Sequence, residues 1–60
     1  MKMIRLHQGT DLMVLVNPDR IETVRRGQNE SLIFLSGRDK ALRVKEDPDV
    51  IYTMIRDAYS

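Results

Sequence analysis

Sixty residues carry ten Lys plus Arg against nine Asp plus Glu, a formal charge of +1, with 42% hydrophobic residues, 32% charged residues and no Cys. The length excludes a multi-domain enzyme, and the near-neutral balance excludes both a strongly basic nucleic-acid arm and an acidic solvating tail. Without Cys there are no disulfides, thiolate zinc sites or cysteine nucleophiles, which suits a reducing cytosol and gives the expectation of a cytoplasmic protein.

From Met3 to His7 apolar and polar residues nearly alternate, with Ile4 and Leu6 on one side and Arg5 and His7 on the other, the period of a half-buried strand. Charges so close to the start leave no uninterrupted apolar segment of about 7 to 15 residues, so no export signal is expected. Gln8-Gly9-Thr10-Asp11 reads as a turn, after which Leu12 to Val16 returns as the second arm of a hairpin. That run is the longest apolar one and falls far short of the roughly 20 residues a membrane-spanning helix needs.

Asn17-Pro18-Asp19 breaks the strand, because Pro18 has no amide hydrogen and Asn17 can bond onward to the backbone. Ile21 to Arg26 is β-branched enough for a third strand, and Gly27-Gln28-Asn29 turns it into a fourth from Ser31 to Ser36. After Gly37-Arg38-Asp39-Lys40, a fifth strand from Ala41 to Lys45 alternates Leu42 and Val44 against Arg43 and Lys45. The period then changes. Asp47 caps and Pro48 begins a helix to Tyr59, whose Val50, Ile51, Met54, Ile55 and Ala58 fall within an arc of roughly 140°. The expected fold is a single small α+β domain, a small antiparallel sheet of four to five strands built from hairpins and covered on one face by a C-terminal helix.

One short helix covers one face of such a sheet, yet the strands are apolar on both. If Leu12, Val14 and Val16 face the helix, Met13 and Leu15 face away, and the fourth strand exposes Leu32 and Phe34 in the same manner. A domain this size hides only about 60% of the surface its unfolded chain exposes, so a second subunit is the favoured supplement. A homo-oligomer through Met13, Leu15, Leu32 and Phe34 resolves the excess, with Tyr52 and Tyr59 as an interface rim. The alternatives are a monomer with some apolar surface and tyrosines at the border of an ordinary core.

Chemistry is sparse. His7 is the only histidine and has no acid or nucleophile at a supporting spacing, Ser31, Ser36 and Ser60 lack an elbow context, and the three glycines occur singly. No catalytic residue, metal site or cofactor is assigned, and no enzyme activity is expected. Arg25, Arg26 and Arg43 belong to a group of basic residues that the third and fifth strands could gather for phosphate contact. Interleaved Asp19, Glu22, Glu30, Asp39 and Glu46 equally describe a mixed solvated face.

At Asn17-Pro18-Asp19-Arg20-Ile21-Glu22-Thr23-Val24 the chain resembles the small flagellar FlbD-type proteins, also called SwrD-like, with their Asn-Pro-Asp-x-Ile-Glu-x-Ile pattern after a hairpin. Gly9, Ile33, Leu35, Gly37, Lys40, Val44, Glu46, Val50 and Ile55 also fall where that family places its turn glycines, strand and helix apolars and a Val-x-Glu. The chain departs from the pattern at Leu6-His7-Gln8-Gly9, at Arg25-Arg26 where acidic residues are common, and at Gly27-Gln28-Asn29 in place of a Pro-Asp turn. The resemblance implies a bacterial, cytoplasmic accessory protein of flagellar function or swarming motility, acting by protein-protein interaction with itself and with a flagellar motor or assembly component. More loosely, the strand-rich chain ending in Val50-Ile51-Tyr52 resembles the carbon storage regulators, RNA-binding dimers, for which Arg5 and Arg43 are the residues to suspect. The strand pattern alone is also similar to LytTR-type DNA-binding domains.

Overall fold

Alternation in Ile4-Arg5-Leu6-His7-Gln8 makes β1 (Ile4–Gln8), which turns through Gly9 at φ +63° into β2 (Leu12–Val16) in a computed structural model that describes residues 2–60. The strands pair antiparallel with Leu6 opposite Val14 and His7 opposite Met13. Opposed residues share a face, so Ile4, Leu6, Val14 and Val16 form the inner side of the hairpin and Arg5, His7, Met13 and Leu15 the outer side.

Asn17 ends β2 by accepting the Asp19 amide on its side-chain oxygen at 3.0 Å. Pro18, buried and fixed near a helical φ, then opens one 3-10 turn over Pro18–Arg20. The chain emerges in β3 (Ile21–Arg26), which pairs antiparallel with β4 (Ser31–Leu35), and β4 pairs antiparallel with β5 (Leu42–Val44). A bulge between Ile21 and Thr23 shifts the register, so that Ile21 meets Leu35 while Thr23 meets Phe34. The turn after β4 uses Gly37 at φ +81°, a conformation that side chains with a Cβ resist.

The strands form two sheets, β1-β2 and β3-β4-β5, where the sequence suggested a single sheet of four to five strands. β5, only Leu42 to Val44, pairs with β4 alone and forms no ladder with β1. The two sheets meet instead at one end, where the Lys45 amide donates to the His7 carbonyl at 2.8 Å.

Asp47 caps α1 (Pro48–Ala58), accepting the Asp49 amide at 3.1 Å, with Pro48 in the first turn where its missing N–H costs nothing. The helix ends at Ala58 and Tyr59 is its C-cap, one residue short of the expected end. Its inward stripe is Ile51 with Met54, Ile55 and Ala58; Val50, expected in that stripe, is 45% exposed, because it lies about 90° round the helix from the middle of the stripe. The core between hairpin, second sheet and helix consists of Ile4, Leu6, Val16, Ile33, Val44 and Ile51. Ser31 is the one polar residue buried with them among the described residues, and its hydroxyl donates to the Glu46 carbonyl.

Candidate interaction surface

β2 is an edge strand, paired with β1 on one side and with no strand on the other. It also carries the largest concentration of exposed apolar side chains: Leu12 at 68%, Met13 at 52% and Leu15 at 49%. Met13 and Leu15 face outward as the alternation requires. Leu12 was expected to face the helix; it lies on the inner side but at the turn end, opposite Gln8, past the last core residue, and so remains in solvent.

The other expected members of an apolar interface lie elsewhere. Leu32 and Phe34 stand on the outer side of the second sheet, as their alternation with buried Ser31 and Ile33 requires, but both are half-buried rather than open. Tyr52 is exposed. Tyr59 is exposed as well, yet its hydroxyl donates to the Asp19 carboxylate, tying the end of α1 to the 3-10 turn, and this hydrogen bond holds the phenol above its ordinary pKa.

Between the free edge of β2 and the ends of β4 and β5 runs a cleft of about 250 Å³, lined by Val14, Val16, Leu35 and Leu42 together with Arg20 and Arg38. Among the described residues neither guanidinium takes part in an ion pair. The volume falls below the roughly 300–1,000 Å³ of a drug-sized ligand site and suits one or two side chains.

The four arginines considered for nucleic acid are dispersed. Arg25 and Arg43 lie on either side of Leu32 in one rung of the second sheet's outer face, with Arg43 Nε 3.6 Å from Glu30. Arg26 turns the other way and pairs with the Asp47 carboxylate, which this hydrogen bond and the Asp49 amide hold below the ordinary range. Arg5 is on the outer side of the other sheet.

The residues resembling the FlbD-type pattern have structural employment. Asn17 caps, Pro18 is buried, Asp19 accepts from Tyr59, Ile21 packs against the core, exposed Glu22 sits at the bulge, and Gly37 supplies a positive φ.

One polar cluster was not visible in the sequence. The Glu46 carboxylate accepts the His7 amide at 2.9 Å and meets His7 Nδ1 at 2.6 Å, where the two sheets join. Burial pushes the Glu46 carboxyl up, but the His7 ring and amide outweigh it and hold the group below its ordinary value. The partners are 39 residues apart, so no local spacing could announce them. Ser31 is near in the fold, but its fully buried hydroxyl is spent on the Glu46 carbonyl, so the trio is not arranged as a nucleophile with its base. Among the described residues no group of three or more His, Cys, Asp or Glu is placed to hold a metal ion, and no helix is long and apolar enough to cross a membrane.

Comparison with known protein families, curated proteins and solved structures finds no match for this chain.

Proposed function

We propose that the protein is a non-enzymatic, cytoplasmic interaction module that acts by self-association and by binding a partner, in the manner of the flagellar and swarming-motility accessory proteins whose Asn17-to-Glu22 pattern it resembles. The observation that carries this reading is the combination on β2 of an unpaired strand edge with exposed Leu12, Met13 and Leu15. Natural edge strands of stable monomers are blunted by charge, proline or a covering element, and β2 has neither charge nor proline within Leu12 to Val16 and no strand paired on its free edge. Leaving that strip wet forgoes roughly 25 cal/mol for each Å² of apolar surface, which association recovers. The process is tested by affinity capture from motile bacterial cells: recovery of a flagellar motor or assembly component with the wild-type chain and its loss with Met13→Asp/Leu15→Asp supports the role, and recovery of none contradicts it.

A second reading, RNA or DNA binding, draws on Arg25 and Arg43 sharing a rung around Leu32. It predicts affinity that falls steeply with salt and drops on Arg25→Ala or Arg43→Ala. The lone neighbouring aromatic, Phe34, is half-buried, which leaves little for base stacking.

A further inference from the structure

We infer that two copies of the chain join edge to edge through β2, antiparallel about a two-fold axis at Val14, with Asp11 of each copy meeting Arg20 of the other. This rests on the self-association proposed above and specifies its geometry. The open edge of β2 supplies unpaired backbone donors and acceptors in a row, and the simplest complement to such a row is an identical one run backwards. The product is a continuous four-stranded sheet across the two hairpins.

Charge fixes the register. A two-fold axis requires each residue to face its mirror about one central residue, and on a strand of five only the registers centred on Met13, Val14 and Leu15 pair more than one strand residue with its mate. Centred on Leu15, only Val14, Leu15 and Val16 pair within the strand, and Asp11 is carried past the strand end toward the 3-10 turn that holds Asp19, a like charge. Centred on Met13, it sets the Asp11 carboxylate beside apolar Leu15. Centred on Val14, Asp11 comes opposite Asn17, next to Arg20, whose amide is bonded to the Asn17 carbonyl at 3.0 Å. Neither Asp11 nor Arg20 has an ion-pair partner within its own chain among the described residues, and the symmetry makes the pair twice.

The apolar residues agree with the same register. Met13 falls opposite Leu15 of the second copy, so the two outward-facing side chains of β2 cover one another across the seam. Leu12 falls opposite Val16, on the inner side, and that is where the cleft lined by Val14, Val16, Leu35 and Leu42 opens along the edge. A cleft sized for one or two side chains receives the Leu12 that its own chain leaves 68% exposed. Exposed Leu12 and the cleft are two halves of one contact.

Sedimentation of the wild-type chain and of Asp11→Arg, Arg20→Asp and the double variant tests this. Expected is a species of twice the 7.0 kDa chain mass for the wild type, a dissociation constant weakened about tenfold or more by either single reversal, and recovery in the double variant, where the pair is rebuilt with its signs exchanged. Both residues are exposed, so far-ultraviolet circular dichroism should report an unchanged fold in every variant. A dimer indifferent to both single reversals overturns the β2 register while leaving self-association standing. A wild-type chain that stays at 7.0 kDa at the highest soluble concentration overturns both.

Discussion

His7 and Met13 face each other across the first hairpin, one on β1 and one on β2, and their surroundings differ in nearly every respect. His7 has its amide on the Glu46 carboxylate, its carbonyl on the Lys45 amide and its ring on the second Glu46 oxygen. Met13 projects into solvent from a strand with no neighbour on its far side. The contrast shows where this small fold closes itself. At the β1 end it is tied by polar groups brought from the far end of the chain, and along β2 it is left open with apolar side chains on display. A tie of satisfied polar groups holds the monomer together, whereas an open apolar edge invites a second chain.

The largest expected effect separates the two sides of the hairpin. Leu6→Ala removes a fully buried side chain and should cost about 2–5 kcal/mol in urea unfolding. Leu15→Ala, from the same hairpin but exposed, should change the stability of dilute monomer by about 0.5 kcal/mol or less while weakening association. Equal losses would erase the distinction between the closed and open sides.

The tie itself comes next. Glu46→Ala leaves the His7 amide without its acceptor and should cost about 1–3 kcal/mol. Its pH dependence has a definite sign. The carboxyl is held below its ordinary value of 4.5 in the folded chain, so the unfolded chain binds the proton first as the solution is acidified. The stabilisation is therefore complete above 4.5 and is lost as pH falls through the lower, folded value. Urea midpoints followed into acid should show this loss in the wild type and a flatter profile in Glu46→Gln.

Gly37→Ala places a Cβ at φ +81° in the turn leading to Arg38 and the cleft, and should cost about 1–2 kcal/mol by thermal unfolding. The added Cβ meets nothing within 4 Å, so the loss is conformational and should not spread to the tie at His7. Tyr59→Phe gives the smallest change: it removes the hydroxyl bonded to Asp19 at the exposed end of α1, and the melting temperature should fall slightly with association untouched.

The elements themselves were legible because their signals are local. Proline after Asn17 and after Asp47, glycine in two turns with positive φ, and the change of period at Pro48 mark breaks and starts that a few neighbouring residues decide. The outward placement of Met13 and Leu15 followed from alternation alone. What escaped was set by distance along the chain or by length. The strands divide into two sheets, Leu12 overshoots the core by its place at a turn, and Arg26, on the face of β3 opposite Arg25, finds its partner in Asp47, 21 residues away. Glu46 read as one acid among several until the fold brought His7 to it.

Amide hydrogen exchange of the wild-type chain, resolved by residue and repeated from dilute to concentrated solution, bears most directly on β2 as the surface of assembly. The amides between Leu12 and Val16 that β1 does not already hold should slow as concentration rises, while those of Glu22 and Tyr52 keep one rate. Exchange along β2 that stays equally fast at every concentration, with protection appearing on another element instead, would contradict the account.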